Sequence, residues 1–222
     1  MKNFKYQLIL LLLFSSFQLF ARDKKVRFSA SEPDAKIWVE GKMQGTGQVD
    51  VTVPAYACIT ITVEKTGFLK GIIEFCNKPG FTEPPKIYQY KMEKDDAYES
   101  SEATDVANVD IELKVKKNQD EAWRLLTQII TSYVDAIEIT DKETGYLRTA
   151  WVVKTFKQAT IRTRLIVKLG NSSPLSYKVK LISEISEVPN ASVKNDEQFK
   201  EWDRVLRKYK PIFSELESRI AN

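Results

Sequence analysis

The chain has no histidine in 222 residues. That excludes Ser-His-Asp and Cys-His catalysis, imidazole acid/base steps and histidine-built metal sites. Cysteine occurs only at Cys58 and Cys76, with no CxxC spacing, so a zinc site or a thioredoxin-like redox pair lacks its ligands. Glycine and proline number eight each, too few for a collagen-like or low-complexity chain. Neither sign of charge dominates: 34 basic against 30 acidic side chains give a net charge of +4. Hydrophobic residues at 43% and charged ones at 29% suit a globular protein with a real core.

One long apolar run is present, Leu8 to Phe14, behind Lys2 and Lys5 and ahead of Leu19-Phe20-Ala21 and the charged Arg22-Asp23-Lys24-Lys25. A positive start, a short apolar stretch and a small residue at the cut predict a cleaved secretory signal over residues 1–21. The run is shorter than the ~20 residues that span a bilayer, so no transmembrane segment is expected in the mature chain. Without Lys2 and Lys5 the charges are nearly balanced, too evenly to imply a polyanion partner by bulk attraction.

A hydrophobicity minimum from Glu93 to Asp105, rich in acidic residues, predicts a self-repelling linker over 93–108 between domains 22–92 and 109–222. The first domain reads as short strands. Lys36 to Glu40 and Val49, Val51 and Val53 alternate, with turns at Gly41-Lys42 and Gly45-Thr46-Gly47. If Ala57–Glu64 and Lys70–Cys76 form a hairpin around Thr66-Gly67-Phe68, Ile59 faces Phe75, Ile61 faces Ile73 and Val63 faces Gly71, with polar residues on the other side. The same register sets Cys58 opposite Cys76, close enough for a disulfide that an exported chain would keep.

The stretch Pro33-Asp34-Ala35-Lys36-Ile37-Trp38-Val39-Glu40-Gly41-Lys42-Met43-Gln44-Gly45, with the later Glu64-Lys65-Thr66-Gly67-Phe68, resembles a PEGA domain over about residues 25–92. The resemblance implies a small all-β sandwich of the kind appended to bacterial envelope proteins, with no activity of its own. It places the exported chain in the periplasm or on the cell surface of a bacterium.

In the second domain Val109, Ile111, Leu113 and Val115 alternate as a strand, and Asn118 with Glu121 caps a helix running to about Tyr133. Strands over 136–140, 145–155, 160–169 and 175–185 follow through short connections, so neighbours should be antiparallel. Phe199, Trp202, Leu206, Tyr209, Phe213, Leu216 and Ile220 recur at three- and four-residue spacing, predicting a long amphipathic helix bent at Pro211. The expected fold is α+β, an antiparallel sheet covered on one face by two helices. That order, with Ala122-Trp123-Arg124-Leu125-Leu126 and Asp141-Lys142-Glu143-Thr144-Gly145-Tyr146-Leu147-Arg148-Thr149, is similar to the helix-grip domains of the BamC family of outer-membrane assembly lipoproteins.

Strand alternation names the uncovered face. With Leu147, Thr149, Trp151 and Val153 inward, and likewise Ile161 to Val167 and Tyr177 to Leu181, the residues left outward include Arg148, Lys154, Arg162, Arg164, Lys168, Lys178 and Lys180. Arg164 is expected beside Lys180, with Glu138 and Glu184 nearby. Such a face either keeps the sheet soluble or receives an acidic envelope protein or an anionic envelope polymer. The acidic linker is a further candidate to lie across it. Nucleic acid is not expected as a partner, because no outward aromatic side chain is there to stack bases. Asp135, Glu138, Asp141 and Glu143 lack convergent spacing for a metal or an acid/base pair. Trp123, Trp151 and Trp202 fall on core positions by periodicity. Trp38, Tyr88 and Tyr90 suit strand packing and would also suit a sugar-binding surface. The reading is a noncatalytic exported adaptor without cofactor or metal; the alternative is a carbohydrate- or peptidoglycan-binding protein using its β-domain.

Overall fold

A computed structural model describes residues 22–221, and the expected leader, residues 1–21, lies outside them. Strand predominates over helix, and the chain divides into two compact units that meet at Glu93 and Lys94. No helix among the described residues is long and apolar enough to cross a membrane.

The first unit contains two sheets around one core. In the smaller, β1 (Lys24–Ala30) lies between β4 (Gln48–Val53), antiparallel to it, and β7 (Ile87–Tyr90), parallel to it. The larger is antiparallel in the order β3 (Lys42–Thr46), β2 (Lys36–Val39), β5 (Cys58–Glu64), β6 (Gly71–Cys76). Val26, Phe28, Val51 and Val53 from one sheet pack with Ile37, Ile59, Ile61, Val63 and Phe75 from the other. Tyr88 stacks on Phe28 at 5.7 Å and meets Phe75 edge-on at 5.2 Å, which makes it a packing residue.

The β5–β6 hairpin has the expected register, Cys58 opposite Cys76 through Val63 opposite Gly71, and the two sulfurs are bonded. Its turn depends on Gly67, whose φ of +82° favours glycine. Lys65 holds that turn from beside Phe68 by pairing with Glu32 at 2.6 Å and Asp34 at 2.7 Å. Gly71 is needed for a different reason: a Cβ there would meet the Tyr90 ring at 2.5 Å.

In the second unit the sheet runs β10 (Ile137–Asp141), β11 (Tyr146–Thr149), β13 (Thr160–Ser172), β14 (Leu175–Ser186), β15 (Lys200–Glu201). β12 (Val152–Thr155) also pairs with β13, and β9 (Asp110–Lys114) with β14, every pairing being antiparallel. The long β13–β14 hairpin is therefore the spine. Over one face lies α2 (Gln119–Tyr133), following the short α1 (Asp96–Glu99); the Asn118 side chain accepts from the Glu121 amide at 2.9 Å, as the cap signal predicts. Ala122, Trp123, Leu126, Ile129 and Ile130 on α2 are buried against Leu147, Ile161, Leu165, Val167, Tyr177 and Val179.

Two expectations are corrected here. Residues 94–108 are not a free linker. Asp95 caps α1, Ala97 and Ser101 are buried, and β8 (Ser101–Ala103) pairs with β16 (Arg204–Leu206). Arg204 lies 3.8 Å over the Tyr98 ring and donates to Ser101 Oγ, so ring stacking and backbone pairing supply what apolar burial does not.

Nor do residues 199–220 form one helix. They run through β15, β16, a 3₁₀ turn at Arg207–Tyr209, α3 (Ile212–Leu216) and a wider turn over Glu217–Ala221. β9 pairs only with Ser176–Lys180 of β14, and beyond it the edge of β14 recruits Lys200, Glu201 and the Trp202 amide, which donates to Ser183 O. A buried strand edge must have partners, and that demand outweighs helical spacing.

Replacing Cys58 and Cys76 by Ser should lower the stability of the first unit by about 3 kcal/mol, the chain-entropy value for a loop of this size; denaturant unfolding followed by probes specific to each unit should show the loss there alone. In the second unit Tyr133 donates to Glu215 at 2.8 Å, and with Arg219 holds that carboxyl below its ordinary value of 4.5. A depressed carboxyl stabilises above its unfolded pKa and ceases to as pH falls through the folded one. Unfolding midpoints of Tyr133→Phe and the parent should therefore differ at pH 7 and draw together as the pH falls below the ordinary carboxyl value of 4.5.

Candidate functional site

The face of the second sheet opposite α2 is the candidate site, and the structure revises both its register and its membership. β11 pairs with β13 as Leu147 with Val167 and Arg148 with Ile166; β12 pairs as Val152 with Thr163 and Val153 with Arg162. One residue more is spent on the β11–β12 side, a bulge at Ala150-Trp151 that reverses which side chains point inward. Within it, the Leu165 amide donates to the Thr149 hydroxyl at 3.0 Å in place of a ladder carbonyl.

Trp151 and Val153 consequently lie on the outer face, not in the core as alternation predicts, and Lys154 moves off it. Lys154 stands opposite buried Ile161 and lies 4.8 Å over the Phe156 ring. Trp123 is buried as expected, and Trp202 is half-buried against the core. Across β13–β14, Arg164 faces Ile182, Lys180 faces Ile166, and Lys168 faces Lys178, so Arg164 and Lys180 are diagonal and not direct neighbours.

Arg162 is withdrawn from the surface altogether, at 3% exposure. Its guanidinium is 4.3 Å from the Trp151 ring centre and 4.1 Å from that of Phe199. It donates to Glu184 at 2.6 Å, to Asp196 at 2.6 Å and to the Val193 carbonyl at 2.7 Å. Residues 193–199 thus form a strap across this end of the face, a place for which the acidic stretch 93–105 is one candidate by sequence. Arg162 is a structural residue, not part of a docking surface.

The remaining cations differ in how well they are matched. Arg148 pairs with Glu138 at 3.0 Å, Lys180 lies 3.6 Å from Asp110, and Lys178 stands opposite Glu112. Sequence reasoning counted Glu138 and Glu184 near this face but missed Asp110 and Glu112, because nothing in the alternation said that β9 would pair with β14, and Asp196, because the strap after β14 reads as polar loop. Lys168 is exposed, and Arg164 is half-buried against Trp151 at 4.0 Å; neither of them, nor Lys178, has a carboxylate within ion-pair distance among the described residues. Arg164 Nε is buried without an acceptor. Burial, with Arg148 nearby, pushes the Arg164 guanidinium below its ordinary value, though an arginine stays cationic at neutral pH. Between the cations lie half-buried Ile166 and Ile182, with exposed Ile139 opposite Arg148.

The carboxylates considered for catalysis are otherwise engaged. Glu138 holds Arg148, and Asp141 accepts from the Glu143 and Thr144 amides, with the Thr144 side chain first in keeping its carboxyl low. In the first unit Cys58, Glu74 and Cys76 have ligand atoms within 4.8 Å of one another, but the sulfurs are bonded to each other and only the carboxylate is left to bind a cation. Compared with known proteins, the chain matches no family model and no curated protein.

Glu184→Gln leaves Arg162 buried with exposed Asp196 of the strap as its remaining ion-pair partner among the described residues. The second unit should lose about 3 kcal/mol. In an Arg162→Met background the same change should cost well under half as much, a coupling that a double-mutant cycle by denaturant unfolding measures directly.

Proposed function

We propose that this protein is a noncatalytic, exported binding module of a bacterial envelope, a PEGA-like β-sandwich followed by a helix-grip-like α+β unit, acting as an adaptor. The partner is an acidic envelope protein, and it docks on the outer face of the β13–β14 sheet around Arg148, Arg164, Lys168, Lys178 and Lys180. The observation that supports this most is the mismatch in pairing on that face. Arg162, Arg148 and Lys180 have carboxylates within ion-pair distance, whereas Arg164, Lys168 and Lys178 have none among the described residues, and Arg164 and Lys168 flank an aliphatic floor. Unmatched cations around apolar residues suit a protein surface of opposite charge, which would meet both demands at once. Export follows from the leader expected at residues 1–21 and agrees with the bonded Cys58–Cys76 pair.

A second reading has one observation in its favour. On the outer face of the first unit's larger sheet, Met43, Trp38, Thr62 and Ile72 stand in one cross-strand row, with Ile72 68% exposed and the Trp38 indole nitrogen without an acceptor. A flat row with an indole suits a sugar ring, and a peptidoglycan-binding role would use it.

Crosslinking in intact envelope, followed by co-purification, separates the two. The adaptor reading expects one acidic partner whose recovery falls steeply between 0.1 and 0.5 M salt, where the screening length shortens from about 10 Å to about 4 Å, and disappears in the Arg164→Gln, Lys168→Gln, Lys180→Gln triple variant. Retention on cell-wall sugar that is indifferent to salt and lost in Trp38→Ala would replace it with the second reading.

A further inference from the structure

Arg162 and Arg164 stand two residues apart on β13, about 6.6 Å along the strand. The Trp151 ring centre is 4.3 Å from one guanidinium and 4.0 Å from the other, so the indole is wedged between them. Phe199 also lies against Arg162, its ring centre 4.1 Å from the guanidinium. The series Phe199, Arg162, Trp151, Arg164 alternates ring and cation, and among the described residues it stops at Arg164 with no further ring or carboxylate. The two arginines share a strand, a face and a ring, yet only one is complete. Arg162 has Phe199 above it, Asp196 and Glu184 on its nitrogens, and the Val193 carbonyl. Arg164 has its buried Nε without an acceptor and no carboxylate.

From this difference we infer that Arg164 is the anchor for an acidic peptide segment of the partner, one that places a carboxylate on the Arg164 guanidinium and an apolar or aromatic side chain over Ile166 and Ile182. This inference rests on the adaptor reading and says how the partner is held. The chain's own residues 193–199 show the kind of ligand that fits: a stretch with Asp196, Glu197 and Phe199, seated by a carboxylate, a backbone carbonyl and a ring on the neighbouring arginine. A peptide is favoured over a phosphate polymer for two reasons. Isoleucines line the floor beside Arg164, and Glu138, Asp110 and Glu112 stand among the neighbouring cations, where they would repel a continuous run of negative charge.

The site needs the guanidinium and not merely its charge. Arginine can stack on Trp151 and present two parallel donors to a carboxylate; an ammonium at this position can do neither. Lysine should therefore fail there almost as completely as glutamine, whereas Lys168, a solvated point charge, should tolerate neutralisation.

The test titrates the mature chain with an acetylated, amidated Asp-Glu-Phe-Asp-Glu peptide, its Asn-Gln-Phe-Asn-Gln counterpart, and inorganic polyphosphate. Binding is read from the Trp151 indole and Arg164 Nε–H resonances and from the dissociation constant, with circular dichroism confirming that each variant is folded. The acidic peptide should shift both resonances and bind at least about 10-fold more tightly than the neutral one, as befits a charge-assisted pair. Arg164→Gln and Arg164→Lys should each weaken it by about 10-fold or more, and Lys168→Gln by less than about 3-fold. Equal affinity of Arg164→Gln and the parent would overturn the anchor; if that binding is instead lost in a Lys168→Gln, Lys178→Gln, Lys180→Gln variant, the adaptor face survives without it. Tighter binding of polyphosphate than of peptide, with the same dependence on Arg164, would overturn the peptide as occupant. Absence of any shift on this face with either probe would overturn the anchor and the adaptor reading together.

Discussion

A guanidinium cannot be taken out of water without replacing its solvation, and the second unit is organised around meeting that requirement at Arg162. The residue sits in the middle strand of the sheet at 3% exposure. It obtains a carboxylate from β14 through Glu184, a second from the strap through Asp196, and ring faces from Trp151 and Phe199. Each of these partners carries a structural consequence. Trp151 reaches the arginine only because the bulge at Ala150-Trp151 turns it outward. Phe199 and Asp196 reach it only because the chain after β14 folds back as a strap, continuing into β15 beside Glu184 and Ile185. Bulge, strap and edge strand are solutions to one desolvation problem.

The same requirement explains what could and could not be read from the residues. Register within the β5–β6 hairpin was legible because Cys58, Ile59, Ile61 and Val63 sort cleanly against Gly71, Ile73, Phe75 and Cys76, and a slip by one would bury charge. The Asn118 cap was legible because it is a local signal. The bulge was not: Val152 and Val153 are interchangeable to a pattern of hydrophobicity, so the residue that reverses the alternation leaves no mark in it. Five members of the expected basic face keep their outward direction besides Arg162, and only Lys154, beyond the bulge, is displaced from it.

The errors at 94–108 and 199–220 have a shared origin. The first stretch is too polar to predict burial, and the second has the spacing of a helix, yet each supplies one strand of the same ribbon, β8 with β16. Asn108 ties them to the sheet: its side chain donates to the carbonyls of Ser183 and Trp202 and accepts from the Ser183 amide. Pairings between residues about a hundred positions apart are invisible to any window of sequence, and they outweigh local preference because unpaired backbone in a buried setting costs more than helical propensity contributes. The three-and-four spacing was still informative about burial. Leu206, Tyr209, Leu216 and Ile220 all face the core, although only part of the stripe is helical.

A charged sheet face that serves solubility alone has no need to hold its cations out of water, since a solvated lysine does that work at little cost. Lys168 fits this description. Arg164 does not. Half-buried on an indole, it has given up part of its hydration without an acceptor for its Nε, the kind of unmet donor that folded proteins seldom keep. Glu184 and Glu138 offset that loss only from a distance, because each is bonded to another arginine, Glu138 to Arg148 and Glu184 to Arg162. The isolated unit would be better served at this position by a residue with fewer donors. On the proposed reading, a partner's carboxylate on the terminal nitrogens of the guanidinium offsets that cost, so that the interaction withheld from folding is available to binding.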